Sequence, residues 1–179
     1  MPPRRLLALV LTLAALAGLA ACQEERATPN PARDAALSDT LTALIVRAYD
    51  FSKPGFVARA TSLYAPTGPV ISAAAGRVTT TRAAVEQSIA SFWERVGQNM
   101  RQPKFLIRQR HATSLGPDAA VLTIAYTIPH LTPEGRPHTL GGAWTALFVR
   151  RDDRWVIVQE HLSDLPPQRD STTMAMPMP

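Results

Sequence analysis

Residues 141–166 read GGAWTALFVRRDDRWVIVQEHLSDLP, two apolar runs separated by a short charged turn. In the first run Trp144, Ala146 and Phe148 alternate with Ala143, Thr145, Leu147 and Val149, so both faces of that segment are apolar. In the second, Trp155, Ile157, Gln159, His161 and Ser163 alternate with Val156, Val158, Glu160 and Leu162. A period of two on either side of Arg151-Asp152-Asp153 predicts a hairpin of long strands, 139–151 and 154–164.

Upstream, PHLTPEGRPH and LGPDA are turn-forming separators that bound two more strands, 119–129 and 104–114. In 104–114 the odd positions carry Phe105, Ile107, Gln109 and His111, and the even ones include Arg108 and Arg110, so one face is wet. Before the strands the period is helical. Leu37, Leu41, Leu44, Ile45, Ala48 and Tyr49 form one stripe, with Asp34 available as an N-cap. Ser52 and Pro54 introduce a second helix carrying Phe56, Val57, Ala60, Leu63 and Tyr64, stopped at Pro66. PVISAAAGRVTT reads as a short strand pair turning near Gly76. A third helix follows Thr81, with Val85, Ile89, Phe92, Trp93 and Val96 as its stripe and Gly97 as its stop. Helices followed by a meander of strands predict an α+β domain, three N-terminal helices packed on one face of a curved antiparallel sheet.

The closing hairpin resembles that of the NTF2-like superfamily, close to its SnoaL-like and DUF4440-type members, through Thr145, Phe148, Arg150-Arg151-Asp152, Trp155, Ile157, His161 and Ser163. The association domain of calmodulin-dependent kinase ends in a similar way. The element order from about Asp34 to Pro166 fits the same superfamily, so the resemblance spans nearly the whole domain. It implies a cone whose interior is a pocket between helices and sheet. Such cones host isomerases, cyclases, dehydratases, epoxide hydrolases and non-catalytic binding or assembly modules, so fold alone names no activity.

Strand parity and the resemblance together place His161, Ser163 and Gln159 inward on the last strand, and Gln109 and His111 inward on the first long one. Tyr126, Trp144 and Tyr64 are further candidate liners. The related isomerases and cyclases use a carboxylate in the apolar cone, its affinity for protons tuned by burial. No acid occurs along 67–81, Glu160 has the parity opposite to His161, and Asp118, Asp152 and Asp153 fall in turns. An Asp-Arg-Asp arrangement of the epoxide-hydrolase kind has no counterpart. Two functions follow: a module that binds a small, partly apolar ligand or assembles through its sheet, and a cofactor-independent enzyme with His161 in the pocket. His161 reads first as a structural ring that pins its strand, and second as a ligand contact.

Cofactor and metal chemistry find no motif. His111, His130, His138 and His161 lack metal-ligand spacing, and no glycine loop cradles phosphate. Met174, Met176 and Met178 are thioethers that could hold Cu(I), in a tail that reads as low-complexity sequence. The apolar third long strand needs a cover on both faces, which predicts a sheet-to-sheet homodimer.

The first residues answer where the domain works. Arg4 and Arg5 precede sixteen apolar residues, Leu6 to Ala21, too few to cross a membrane as a helix. A charged start, a short apolar run and small residues at its end describe a secretory signal. Leu19-Ala20-Ala21-Cys22 resembles the bacterial lipobox, and Cys22 is the only cysteine in 179 residues. The resemblance implies cleavage before Cys22, lipid on its thiol and attachment to the cell envelope. Gln23 rather than Asp after the cysteine points to the periplasmic face of the outer membrane. The expected organisation is signal peptide 1–21, lipidated tether 22–34, domain 35–166 and disordered tail 167–179. The formal charge of +5 falls to about +3 without the leader, and no basic run carries interleaved aromatics, so nucleic acid is not an expected partner.

Overall fold

The computed structural model describes residues 30–166. The leader, Cys22, most of the expected tether and the 167–179 tail lie outside the described residues. Helix α1 (Pro31–Ala48) is capped by Asn30, whose side chain accepts from the Arg33 amide at 3.0 Å, with Pro31 at the first helical position. It therefore starts inside the segment read as tether, ahead of the Asp34 cap expected from sequence. Asp34 instead ties the helix to the sheet, its Oδ1 accepting from the Ser114 amide at 2.8 Å. Arg110 and Asp39 add an ion pair at 2.6 Å between the same two elements.

Gly55, left-handed at φ 70°, leads into α2 (Phe56–Thr61). This helix ends short of Tyr64 because the chain then runs beside the last strand. Ile157 donates to the Leu63 carbonyl at 2.7 Å, and Ala65 donates to that of Ile157 at 2.9 Å. Strands β1 (Ile71–Ala74) and β2 (Arg77–Thr79) form a hairpin around Ala75 and Gly76, both at positive φ. The Thr81 hydroxyl accepts from the Ala84 amide to cap α3 (Arg82–Arg95), which runs into a 3-10 turn at Gly97–Asn99.

Four long strands complete the domain: β3 (Leu106–Gly116), β4 (Ala119–Leu131), β5 (Pro137–Arg151) and β6 (Arg154–Asp164). Asp152 and Asp153, at φ 49° and 58°, make the tight turn between the last two. The sheet order is β2-β1-β6-β5-β4-β3. Every pairing is antiparallel except β1 with β6, which is parallel. The result is the expected α+β architecture, helices on a curved, mostly antiparallel sheet. Its core runs from Leu41 and Ile45 of α1 to Leu122, Ile124, Trp144, Phe148 and Ile157 of the sheet, all at most 2% exposed. Burying each such aliphatic or aromatic side chain contributes about 1.5–3 kcal/mol.

Two bulges decide which side chains face that core. On β3, Ile107 sits opposite Tyr126 and Gln109 opposite Ala125, leaving Arg108 as the extra residue. On β6, Ile157 sits opposite Phe148 and Gln159 opposite Leu147, leaving Val158 as the extra residue. An inserted residue reverses the alternation beyond it and bends the strand. Inward positions are therefore odd up to Ile107 and Ile157, and even after them.

Candidate functional site

Between α2, α3 and the concave face of the sheet lies a cavity of about 1160 Å³. Phe56, Val85, Ile89 and Phe92 line the helical side, and Tyr126, Ile128, Leu140 and Leu162 the sheet side. Aromatic rings pack against one another around Tyr49, which meets Phe56 and Trp144 edge to face at 5.5 and 5.6 Å and Phe105 at a tilt at 5.0 Å, while Phe105 stacks on Tyr126 at 5.2 Å. Arg95, His138, Thr139 and Asp164, all exposed, stand at the mouth.

One carboxyl group lies deep in this apolar surround. Glu160 is 5% exposed and lines the cavity. Its Oε2 accepts from the Tyr64 hydroxyl at 2.7 Å and from the Trp144 indole at 2.9 Å, and its Oε1 accepts from the Ser72 hydroxyl at 2.7 Å. Each donor is delivered by a separate feature: Tyr64 by the segment pairing with Ile157, Ser72 by the parallel β1–β6 ladder, and Trp144 by the adjacent strand β5. Ser72 and Glu160 are direct partners in that ladder. Burial pushes the Glu160 carboxyl above the ordinary glutamate range, against the opposing pull of the bonds from Ser72, Tyr64 and Trp144. A carboxylate offers about four acceptor positions. Three are filled here, and the open one is on Oε1.

Tyr49 and Tyr126 also line the cavity, and neither hydroxyl has a protein partner among the described residues. Burial pushes both phenols upward, followed by the Glu160 charge for Tyr49 and by those of Asp164 and Glu160 for Tyr126. Tyr64 is raised by burial and then by Glu160. All three phenols stay neutral donors near neutral pH.

The expected pocket residues divide into two groups. Tyr64 and Tyr126 line the cavity, and Trp144, 2% exposed, touches it through Glu160. Gln159, His161, Ser163, Gln109 and His111 do not reach it. They are exposed on the outer face of the sheet, where Gln109, Gln159, His161 and Ser163 pair with Ala125, Leu147, Thr145 and Ala143. The bulges at Arg108 and Val158 reverse the parity on which their inward placement rests. The same reversal brings in Glu160, the acid that plain alternation puts outside. The sequence leaves this open: Trp155-Val156-Ile157-Val158 is an unbroken run of four apolar residues, so alternation does not set the facing of Gln159 and Glu160 that follow it.

The SnoaL-like domain family matches residues 41–168. This chain is a SnoaL-like domain protein. The match takes in the cavity walls and Glu160 together. A candidate association domain of calcium/calmodulin-dependent protein kinase II from Xanthomonas campestris is 26% identical, at TM-score 0.52 over 74% of this chain and 85% of that one. A candidate dehydratase of the NTF2-like family from Streptomyces avermitilis, 19% identical, reaches TM-score 0.59 over 76% of this SnoaL-like chain and 100% of its own. An NTF2-like protein of unknown function from Shewanella oneidensis MR-1 is 20% identical, at TM-score 0.54 over 70% and 98%. These likenesses carry the NTF2-like fold. No curated protein matches the chain. Among the described residues no helix is long and apolar enough to cross a membrane.

Proposed function

We propose that this SnoaL-like domain binds a small, largely apolar molecule in its cavity and exchanges a proton with it through Glu160, without a cofactor. One observation carries the reading: a carboxylate 5% exposed, raised by burial, fixed by three donors and left with a single open acceptor position on Oε1. A buried acid that gives up its proton nearer neutrality is suited to general acid–base work. Tyr49 and Tyr126 then offer neutral hydroxyls to the same ligand. His161, on the outer face, has no part in this chemistry.

The three donors also favour a second reading, in which Glu160 is a fixed acceptor in a binding module and no bond of the ligand changes. Mass spectrometry of small molecules retained by the purified chain identifies a ligand, and hydrogen–deuterium exchange into that ligand separates the readings. Proton transfer requires exchange that Glu160→Gln abolishes while binding persists. Exchange at the wild-type rate in Glu160→Gln overturns the catalytic role.

We further propose that the domain works at the cell envelope, held by lipid on Cys22. The support is the lipobox-like LAAC and the position of the only cysteine. Each buried methylene of an acyl chain contributes about 0.8 kcal/mol to attachment. Cys22→Ser should release the chain from the membrane fraction or stall it uncleaved. Continued membrane fractionation after confirmed cleavage rules lipid out as the anchor.

A further inference from the structure

Strands β4 and β5 bring two histidines together that lie eight residues apart. His130 and His138 are direct partners in the ladder, with Nδ1 of His138 3.4 Å from Nε2 of His130 and ring centroids 5.1 Å apart at 68°. His130 is half-buried, and its Nδ1 lies 2.9 Å from the Ile128 carbonyl oxygen. A carbonyl only accepts, so Nδ1 of His130 carries the hydrogen and Nε2 presents its lone pair. Metal-binding histidines are commonly fixed in this way, one ring nitrogen donating to a carbonyl while the other binds. Without an ion, His138 Nδ1–H donates to His130 Nε2 across that 3.4 Å, and the separation is also one an ion can span: two ligands at about 2.0–2.1 Å from a tetrahedral ion stand about 3.3–3.4 Å apart.

We propose that His130 and His138 form a two-imidazole site for a borderline divalent transition ion, Zn²⁺ in the first instance, at the mouth of the cavity. Imidazole suits Zn²⁺, Cu²⁺ and Ni²⁺ and has little affinity for Mg²⁺ or Ca²⁺. To bind through Nδ1, His138 moves its ring proton to Nε2. No other His, Cys, Asp or Glu among the described residues completes a cluster of three, so the remaining positions belong to water or to a donor atom on a cavity ligand. His138 lines the cavity, which places those positions beside its opening.

Calorimetric titration of the untagged full-length chain with Zn²⁺ should give one ion per chain at micromolar concentrations. An outer-shell partner alone is worth about 10–100-fold in metal affinity, so removal of a ring costs at least that. His130→Ala and His138→Ala should each weaken Zn²⁺ binding by about tenfold or more, with His161→Asn unchanged. Where an alanine variant does not fold, spectroscopy on the wild-type chain decides instead. Cu²⁺ should then show electron paramagnetic hyperfine structure from two imidazole nitrogens. No binding up to millimolar Zn²⁺, or wild-type affinity in either alanine variant, overturns the site; the latter result would move the ion elsewhere.

Discussion

Glu160 is held in place by donors that differ in what they can do without it. Ser72 and Tyr64 have hydroxyls that can turn toward water in the cavity, whereas the Trp144 indole only donates and is 2% exposed. Glu160→Ala should therefore cost about 1–3 kcal/mol for the orphaned indole, besides the packing that the longer side chain supplies. Glu160→Gln keeps an oxygen for Tyr64 and Trp144 and can donate to Ser72, so it should fold. The two also differ with pH. A carboxyl raised by folding holds more protons in the folded state, so stability falls as pH rises from the ordinary glutamate value, about 4.3, through the raised one. The amide has no such titration. The melting temperature of Glu160→Gln relative to wild type should rise across that window, and a difference that stays flat or falls would show that burial does not penalise this charge.

At the scale of elements, the stripes of the first and third helices, the start of α3 after Thr81 and the turns at Gly76 and Asp152-Asp153 were legible because each is set by local chemistry. Strand existence was legible for the same reason. What was not legible was facing, because a bulge is a property of two strands and their register. Ile107 and Gln109 are both odd, yet they point to opposite faces once Arg108 is inserted between the paired positions. Deletion of Val158 tests this directly. It removes the extra residue, so Gln159 follows Ile157 on the outer face and Glu160 keeps its place opposite Ala146, facing the cavity. The expected result is a folded domain that keeps the near-ultraviolet spectrum of Trp144. A deletion variant that loses it would mean that Val158 is not the inserted residue. The close approach of β5 to β6 makes a second demand. A Cβ on Gly142 would overlap the Ser163 carbonyl oxygen, so Gly142→Ala should destabilise by about 1–3 kcal/mol, the usual cost of overpacking.

Over the whole molecule, the residues that left the pocket define the sheet's other face. One row across it runs His111, Thr123, Thr145, His161, and another runs Gln109, Ala125, Ala143, Ser163. A third, Thr113, Val121, Leu147, Gln159, brings apolar side chains to the centre. Small and apolar groups thus occupy the two middle strands, while the polar ones lie on β3 and β6. A dry centre with a polar rim is the anatomy of a protein–protein interface. We therefore expect two copies to pack sheet to sheet, which leaves the cavities, on the opposite face, open and independent. Thr145 is the sharpest probe, because it is exposed at the middle of the face and its hydroxyl lies 3.0 Å from that of Thr123. Thr145→Arg would put a charge at the centre of a closed interface, facing its own copy across a two-fold axis. Sedimentation should show a wild-type dimer at micromolar concentration and a Thr145→Arg monomer with its melting temperature and Glu160 environment intact. A wild-type chain that sediments as a monomer at high micromolar concentration, or a Thr145→Arg dimer, would leave this face to some other partner.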